Sequence, residues 1–232
     1  MRPLLLLSLV VAVWLSGTTL AVAASLDTAV ARFTGTQDGR SAYIKAVEVR
    51  FGTAKDSGAD RARIERLLTP LTHAAQLAPP LVVVTAREDV NAYTLPGLIV
   101  VHRGMLTLVT DDEELSVLLA HELGHLALNH PVRGIHRSQR ARYFARRAAR
   151  AKVLTDSAQA FVDAALHADI GLHEERAADE WAASLLPRAG ITATAVALWE
   201  HLESAGIADD THTHPSYAER KQIYGRVQAL SR

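Results

Sequence analysis

The sequence lacks cysteine, a net charge and, beyond its amino-terminal segment, any long apolar run. Without cysteine we expect no disulfides and no lipid-anchored form, so the fold must rest on its hydrophobic core. With 25 basic and 25 acidic residues, the overall charge indicates neither nucleic acid nor an acidic partner. No later apolar stretch reaches eighteen residues, so we expect no membrane-spanning helix there. A length of 232 residues, 49% of them hydrophobic, predicts a single globular domain.

The amino terminus has the pattern of a secretory signal. Arg2 is followed by the apolar run Leu4–Leu15, a polar break at Ser16–Thr19 and the small-residue ending Val22-Ala23-Ala24. This pattern predicts a signal peptide over residues 1–24, cleaved after Ala24, and one domain over residues 25–232. The predicted location is therefore the periplasm or the extracellular space. The alternative is an uncleaved anchor, because Leu4 to Ala24 is just long enough to span a bilayer.

Most of the remaining pattern is helical, with a few short β segments, which predicts a mostly helical α+β fold. Alternating or β-branched runs predict strands at Tyr43–Val49, Leu81–Thr85 and Leu98–Val101. The turn signal Pro96-Gly97 lies between the last two, so these strands are expected to meet in a small sheet. Apolar spacing predicts helices over Asp60–Leu77, Asp156–Ala168, Leu172–Leu186, Ile191–Ala205 and Ser216–Leu230.

A central helix is predicted to begin near Asp112. Asp111 and Glu114 have the spacing of a capping box, and the acids between them suit the positive end of a helix dipole. Leucines at intervals of three and four residues give the helix a buried side, and Pro131 is expected to stop it. Gly124 weakens an isolated helix by roughly 1 kcal/mol relative to alanine, so its presence indicates close packing.

This helix contains the sequence His121-Glu122-Leu123-Gly124-His125. Residues four apart lie on one face of a helix, so both imidazoles can reach one metal ion. Glu122 lies beside them, where it can accept a proton from water. The same three residues also occur by chance on amphipathic helices, so the pattern needs a third ligand to support it.

A catalytic zinc site takes three protein ligands and leaves one position open. In one type of zinc site, a glycine and then a third histidine ligand follow the first histidine in the same segment, seven and ten residues on. This type is ruled out, because Leu128 and Pro131 occupy those two positions. His130 is nine residues after the first histidine and would face the other way on a helix, so we expect it at the helix end rather than on the metal. In the remaining type of site, the third ligand is a glutamate from a separate helix, and Glu175 is a candidate.

The choice of Glu175 over Glu174 rests on the residue four positions further along the helix. Asp179 follows Glu175 at that spacing and can accept the ring N–H of a histidine ligand, His121 being the expected one. The residue four positions after Glu174 is Ala178, whose side chain cannot accept a hydrogen bond. The alternative is that both glutamates are ordinary solvated acids.

Residues 131–155 contain no acidic residue and eight basic ones, interrupted by Tyr143 and Phe144. The plain interpretation is a solvated helix. The alternative is peripheral contact between the stretch Arg133–Lys152 and an anionic membrane or an acidic partner. A secreted chain makes nucleic acid an unlikely partner.

At this point the chain resembles the gluzincin metallopeptidases of the CAAX-protease and HtpX type, including the small soluble minigluzincins. Unlike the membrane-embedded members it has no spans after its signal, and it is more similar to periplasmic quality-control members of the BepA type. The resemblance implies a zincin-type fold with a small sheet lining the active-site cleft. Four segments support it: His121–His125, Glu175–Asp179, Asn91-Ala92-Tyr93 with Pro96-Gly97, and Thr213–Tyr217 with Arg220.

The resemblance also assigns roles to these residues. It implies one Zn²⁺ per chain, bound by His121, His125 and Glu175, and a catalytic base, Glu122, that accepts a proton from water activated by the metal. His214 is the candidate donor to the negative intermediate, and Arg220 is a transition-state or structural residue.

An edge strand at Asn91, Ala92 and Tyr93 could pair with an extended substrate, and the alternative is that this segment is a plain surface loop. The predicted function is endopeptidase activity on proteins or peptides, including unfolded ones, in envelope protein quality control. The alternative is a metal-stabilised binding protein or holdase without turnover.

Overall fold

The computed structural model of the chain describes residues 26–54, 57–191, 196–207 and 214–230, with side chains up to residue 226. The predicted signal segment lies outside these residues. The described elements follow one another as α1 (26–35), α2 (Gln37–Phe51), α3 (Ser57–Ala75), β1 (Leu81–Thr85), β2 (Ala92–Leu95), β3 (Leu98–His102), α4 (Arg103–Leu108), α5 (Asp112–Ala127), α6 (His130–Arg137), α7 (Gln139–Arg150), α8 (Leu154–Leu166), α9 (Leu172–Arg188), α10 (Val196–Ser204) and α11 (Tyr217–Leu230).

The sheet has three strands in the order β1-β3-β2. β1 and β3 are parallel, and β2 runs antiparallel to β3. The turn between β2 and β3 is at Pro96-Gly97, where Gly97 has a φ of 71° that suits glycine because it has no Cβ. The sequence predicted the two outer segments of this region as strands, and the edge strand considered at Asn91–Tyr93 is observed as β2, which begins at Ala92.

The sheet separates two hydrophobic cores. Because side chains alternate along a strand, Val82 and Ile99 pack with α3, α5, α9, α10 and α11, whereas Val83 and Val100 pack with α1, α2, α7 and α8. The predicted α+β class with a small sheet is thus confirmed. The central helix α5 lies in the first core, between the sheet and α9.

One predicted strand is wrong. Tyr43–Val49 lies inside the helix α2, whose buried residues Gly39, Tyr43, Ala46 and Val47 recur at helical intervals. The alternation in the sequence was misleading, because Val49 is 68% exposed and contributes nothing to a strand face. The helical spacing of the buried residues decides the conformation here.

The central helix begins as predicted but ends before the predicted stop. The Asp111 side chain accepts hydrogen bonds from the backbone N–H groups of Glu113 and Glu114, which is the role of an N-cap. The helix ends at Ala127, and Asn129 adopts a left-handed conformation with a φ of 57°. Pro131 therefore lies in the first turn of α6 instead of stopping α5.

Among the described residues, no helix is both long enough and apolar enough to cross a membrane.

Candidate active site

The two helices that bear the predicted ligands, α5 and α9, pack closely at Gly124. A Cβ built at Gly124 would lie 3.0 Å from the carbonyl oxygen of Ala178 and 3.3 Å from the Trp181 ring. A Cβ at this crossing would be in unusually tight contact, which agrees with the close packing that the glycine in the central helix predicted. The close approach brings the inward face of α9 against the two imidazoles of α5.

His121, His125 and Glu175 form a buried triangle of ligand atoms. The two Nε2 atoms lie 3.2 Å apart, and each lies 3.4 Å from a different oxygen of the Glu175 carboxylate. Ligands at 2.0–2.1 Å around a tetrahedral zinc ion are separated by roughly 3.3–3.4 Å, and the N–N distance and both N–O distances are of that size. These are the residues within the described part of the chain whose donor atoms could hold a metal ion together.

The ring nitrogens that point away from this triangle have partners of their own. His121 Nδ1 lies 2.8 Å from Asp179 Oδ1, and His125 Nδ1 lies 3.1 Å from His130 Nδ1. Burial and the neighbouring His125 lower the pKa of His130 to about 4, so His130 is neutral and can accept the His125 N–H. Both partners therefore leave Nε2 of each ligand histidine free for a metal.

The electrostatics of the triangle follow from the carboxylate of Glu175 within it and that of Asp179 beside it. Burial alone would lower the pKa of His121, yet the carboxylates of Asp179 and Glu175 raise it to about 10. Burial likewise opposes ionisation of Glu175, but hydrogen bonds from His121, His125 and His214 hold its pKa well below the usual range. The metal-free His121 thus holds a proton that a bound cation would replace, and Glu175 stays ionised.

Arg220 lies behind the triangle and is buried. Its Nη2 lies 3.2 Å from Glu175 Oε2, its Nε lies 3.5 Å from Asp179 Oδ2, and its guanidinium carbon lies 4.2 Å from the centre of the Trp199 ring. The side chain bridges the carboxylate of Glu175, a predicted metal ligand, and the carboxylate of Asp179, which contacts His121. This geometry favours the structural role among the two that the sequence offered for Arg220.

Glu122 lies beside the ligands and is almost fully buried. Its Oε2 accepts a hydrogen bond of 2.7 Å from the Thr94 hydroxyl, which also lies 3.0 Å from the Glu122 main-chain oxygen. Thr94 belongs to β2, so the edge strand of the sheet contacts the expected catalytic base directly.

A cavity of about 130 Å³ opens next to these residues. His121, Glu122, Asn91, Ala92, His214 and Arg220 line it, together with apolar side chains that include Trp199 and Met105. His214 is half exposed, with Nδ1 2.7 Å from Glu175 Oε2. The Tyr93 side chain points to the other face of β2, where it packs against Phe51 and His102, so it lies apart from this cavity.

Two residues with no predicted role lie at the site in the structure. His130 was expected at the helix end, and the left-handed Asn129 turns the chain so that His130 returns to His125. A histidine just after a metal-binding helix is a signal that could have suggested this contact. Thr94 had no such signal, because its partner lies 28 residues away.

Comparison with known proteins agrees with this geometry. The sequence model described as "Peptidase family M48" matches residues 58–224. Metalloprotease LoiP of Escherichia coli (strain K12) is 28% identical over 153 residues, which cover 61% of this chain and 60% of LoiP. The chain thus matches less than two thirds of the length of this relative. The resemblance predicted from the motifs is confirmed at the level of the family, whereas the BepA-like or minigluzincin-like subtype stays a prediction. Since the family match covers well over half of the 232 residues, this chain belongs to peptidase family M48.

Proposed function

We propose that this protein is a zinc-dependent endopeptidase that cleaves protein or peptide substrates. The observation that supports it most directly is the buried triangle of His121, His125 and Glu175 with the Glu122 carboxylate beside it. A purely structural metal site has no need of an adjacent base, so Glu122 favours catalysis over the alternative of a metal-stabilised binding protein.

The residues of the site divide the reaction between them. A bound zinc ion would supply Lewis-acid activation of water and of the scissile carbonyl. Glu122 accepts a proton from the attacking water and delivers it to the leaving amine. His214 is half exposed at the same cavity, where its ring can donate to the negative charge that develops on the carbonyl oxygen. Arg220 keeps Glu175 and Asp179 in position.

The substrate is an extended segment of polypeptide. β2 is one of the two edge strands of the sheet, and its first residue, Ala92, lines the cavity beside Glu122 together with the preceding Asn91. An edge strand presents unpaired N–H and C=O groups that can hydrogen-bond to a peptide. Unfolded chains offer such segments and compact folds do not, which supports a role in protein quality control. The signal-like residues 1–24 support a location in the cell envelope or outside the cell.

The test replaces Glu122 by Gln and measures zinc content together with hydrolysis of casein. We expect about one zinc ion per chain in both proteins and a loss of roughly 10²- to 10⁴-fold in turnover in the variant, because the base is not a ligand. A parent protein that binds zinc and suppresses aggregation, but produces no new amino termini, would favour the holdase. Equal turnover in the two proteins would refute the role of Glu122.

We also propose that α7 rests on an anionic membrane. Its buried side consists of alanines, Ala141, Ala145 and Ala148, which pack on α8. Its outward side presents arginines around the 63% exposed Tyr143, namely Arg140, Arg146, Arg147 and Arg150. These four arginines form no ion pair within the described part of the chain. An unbalanced basic face with an exposed aromatic ring suits lipid phosphates and the interface beneath them.

The membrane contact can be tested with vesicles of phosphatidylglycerol and of phosphatidylcholine. Replacing Arg146, Arg147 and Arg150 by Gln should weaken binding to the anionic vesicles by roughly tenfold or more at low salt. A matched control replaces Lys45, Arg50 and Arg61, which are exposed on α2 and α3, and should bind like the parent. Absence of parent binding at low salt, or equal losses in the two triple variants, would refute this surface.

A further inference from the structure

The hydrogen bond between Thr94 and Glu122 joins the edge strand to the expected catalytic base. Thr94 Oγ1 lies 2.7 Å from Glu122 Oε2, and both side chains are more than nine-tenths buried. The backbone of Thr94 pairs with Ile99 in β3, so its position is fixed by the sheet rather than by the hydroxyl. The strand pairing does not need the hydroxyl, whose two acceptors both belong to Glu122: Oε2 at 2.7 Å and the main-chain oxygen at 3.0 Å.

We propose that Thr94 is the positioning residue for Glu122. This inference rests on the proposed peptidase function. The Thr94 O–H donates to Oε2 and fixes the rotation of the carboxylate, which leaves Oε1 as the oxygen that exchanges protons. A hydrogen bond from a neutral donor to a carboxylate is stronger than one between two neutral groups, so it can hold one orientation. Valine would fill the same volume without this bond.

The step that Thr94 supports is balanced as follows. Water attacks the scissile carbonyl carbon and forms the new C–O bond, while its proton passes to Glu122 Oε1. The same proton then moves to the amide nitrogen as the C–N bond breaks and the amine leaves. Thr94 gains and loses no proton in this sequence. It keeps Oε1 directed to the cavity during both transfers, and misorientation of the base slows both.

The location of Thr94 also connects the base to the substrate strand. Ala92 and Thr94 lie on the same face of β2, because side chains two apart in a strand point the same way. Ala92 lines the cavity, and Thr94 contacts Glu122. The strand that would pair with a peptide substrate is thus the same strand that orients the base.

The test compares Thr94→Val, which removes the hydroxyl, with Thr94→Ser, which keeps it. We expect Thr94→Val to lower kcat about 10- to 100-fold with KM and zinc content unchanged, and Thr94→Ser to retain most of the parent kcat. Thr72→Val is the matched control, because Thr72 is also buried and its hydroxyl bonds to a main-chain oxygen, that of Leu68. It should lower the melting temperature without lowering kcat.

Two further measurements separate this inference from the peptidase function itself. Crystal structures of the parent and of Thr94→Val should show the Glu122 carboxylate rotated or in two conformers in the variant, whether or not the protein cleaves substrates. In a Glu122→Gln background, Thr94→Val should cause no further loss of the residual turnover. An unchanged carboxylate in Thr94→Val, an unchanged kcat, or equal losses in the Val and Ser variants would overturn the positioning role.

Discussion

Replacing Glu175 by Gln should cost the site its metal, whereas the same replacement at the adjacent Glu174 should not. Each Glu175 oxygen lies 3.4 Å from the Nε2 of one ligand histidine. Glutamine keeps one of those oxygens and loses the negative charge. Glu174 points about 100° away on the helix, where Oε2 accepts the backbone N–H of Gly171 and Oε1 pairs with Arg137 at 2.9 Å. It is a capping residue of α9.

The expected magnitudes differ enough to separate the two glutamates. Loss of a partner that only orients a ligand typically costs about 10- to 100-fold in metal affinity, so Asp179→Asn should fall in that range. Loss of the ligand itself should exceed it, which puts Glu175→Gln more than about 100-fold below the parent, or about 2.7 kcal/mol. Glu174→Gln weakens a partly exposed ion pair and should change the free energy of unfolding by about 1 kcal/mol or less.

The assay is competition for zinc between each purified protein and a chromogenic chelator, with metal content per chain and thermal unfolding measured on the same samples. Glu174→Gln is the matched control, since it makes the same chemical change one residue away. Loss of zinc from the Glu174 variant with retention in the Glu175 variant would show that α9 is rotated by one residue. Retention in both would remove Glu175 from the ligand set.

Two other substitutions test the packing and the orientation of the ligands. Gly124→Ala should force α5 and α9 apart, which should lower the free energy of unfolding by roughly 1–3 kcal/mol and weaken zinc binding. Calorimetry measures the first effect and chelator competition the second. The control is Gly225→Ala on α11, where an added Cβ meets open space, and it should show neither loss. His130→Ala should lower zinc affinity about 10- to 100-fold, because it removes the acceptor for the His125 N–H. The control, His136→Ala on the same helix, should keep the affinity of the parent. Equal zinc affinities in the two variants would contradict an orienting role for His130.

The parts of the fold that local patterns determine were predictable. The start of α5 could be read from Asp111, whose side chain caps the helix because the first backbone N–H groups have no partner inside it. The close approach at Gly124 followed from the cost of glycine in a helix. The choice between Glu174 and Glu175 needed only the residue four positions on, and the structure brings Asp179 to His121 as that spacing predicted.

What could not be predicted depends on where the chain turns and which segments meet. His130 faces away on a continuous helix, but α5 ends at Ala127 and the left-handed Asn129 reverses the direction of the chain. That conformation has no strong signature in the sequence. Thr94 meets Glu122 only because β2 pairs with β3 beside α5, a tertiary contact that local periodicity does not encode.

The buried charges of the site have a consequence for how the protein folds. Among the described residues, the buried acids are Glu122, Glu175 and Asp179, and the buried guanidinium is that of Arg220. All four belong to this site, where the carboxyl groups outnumber the guanidinium, and an excess of buried acids is costly without a counter-ion. A divalent cation that replaced the His121 proton in the ligand triangle would supply that counter-ion. We therefore expect completion of this core and binding of the metal to be coupled, so that a newly made chain would acquire the assembled site only as it folds.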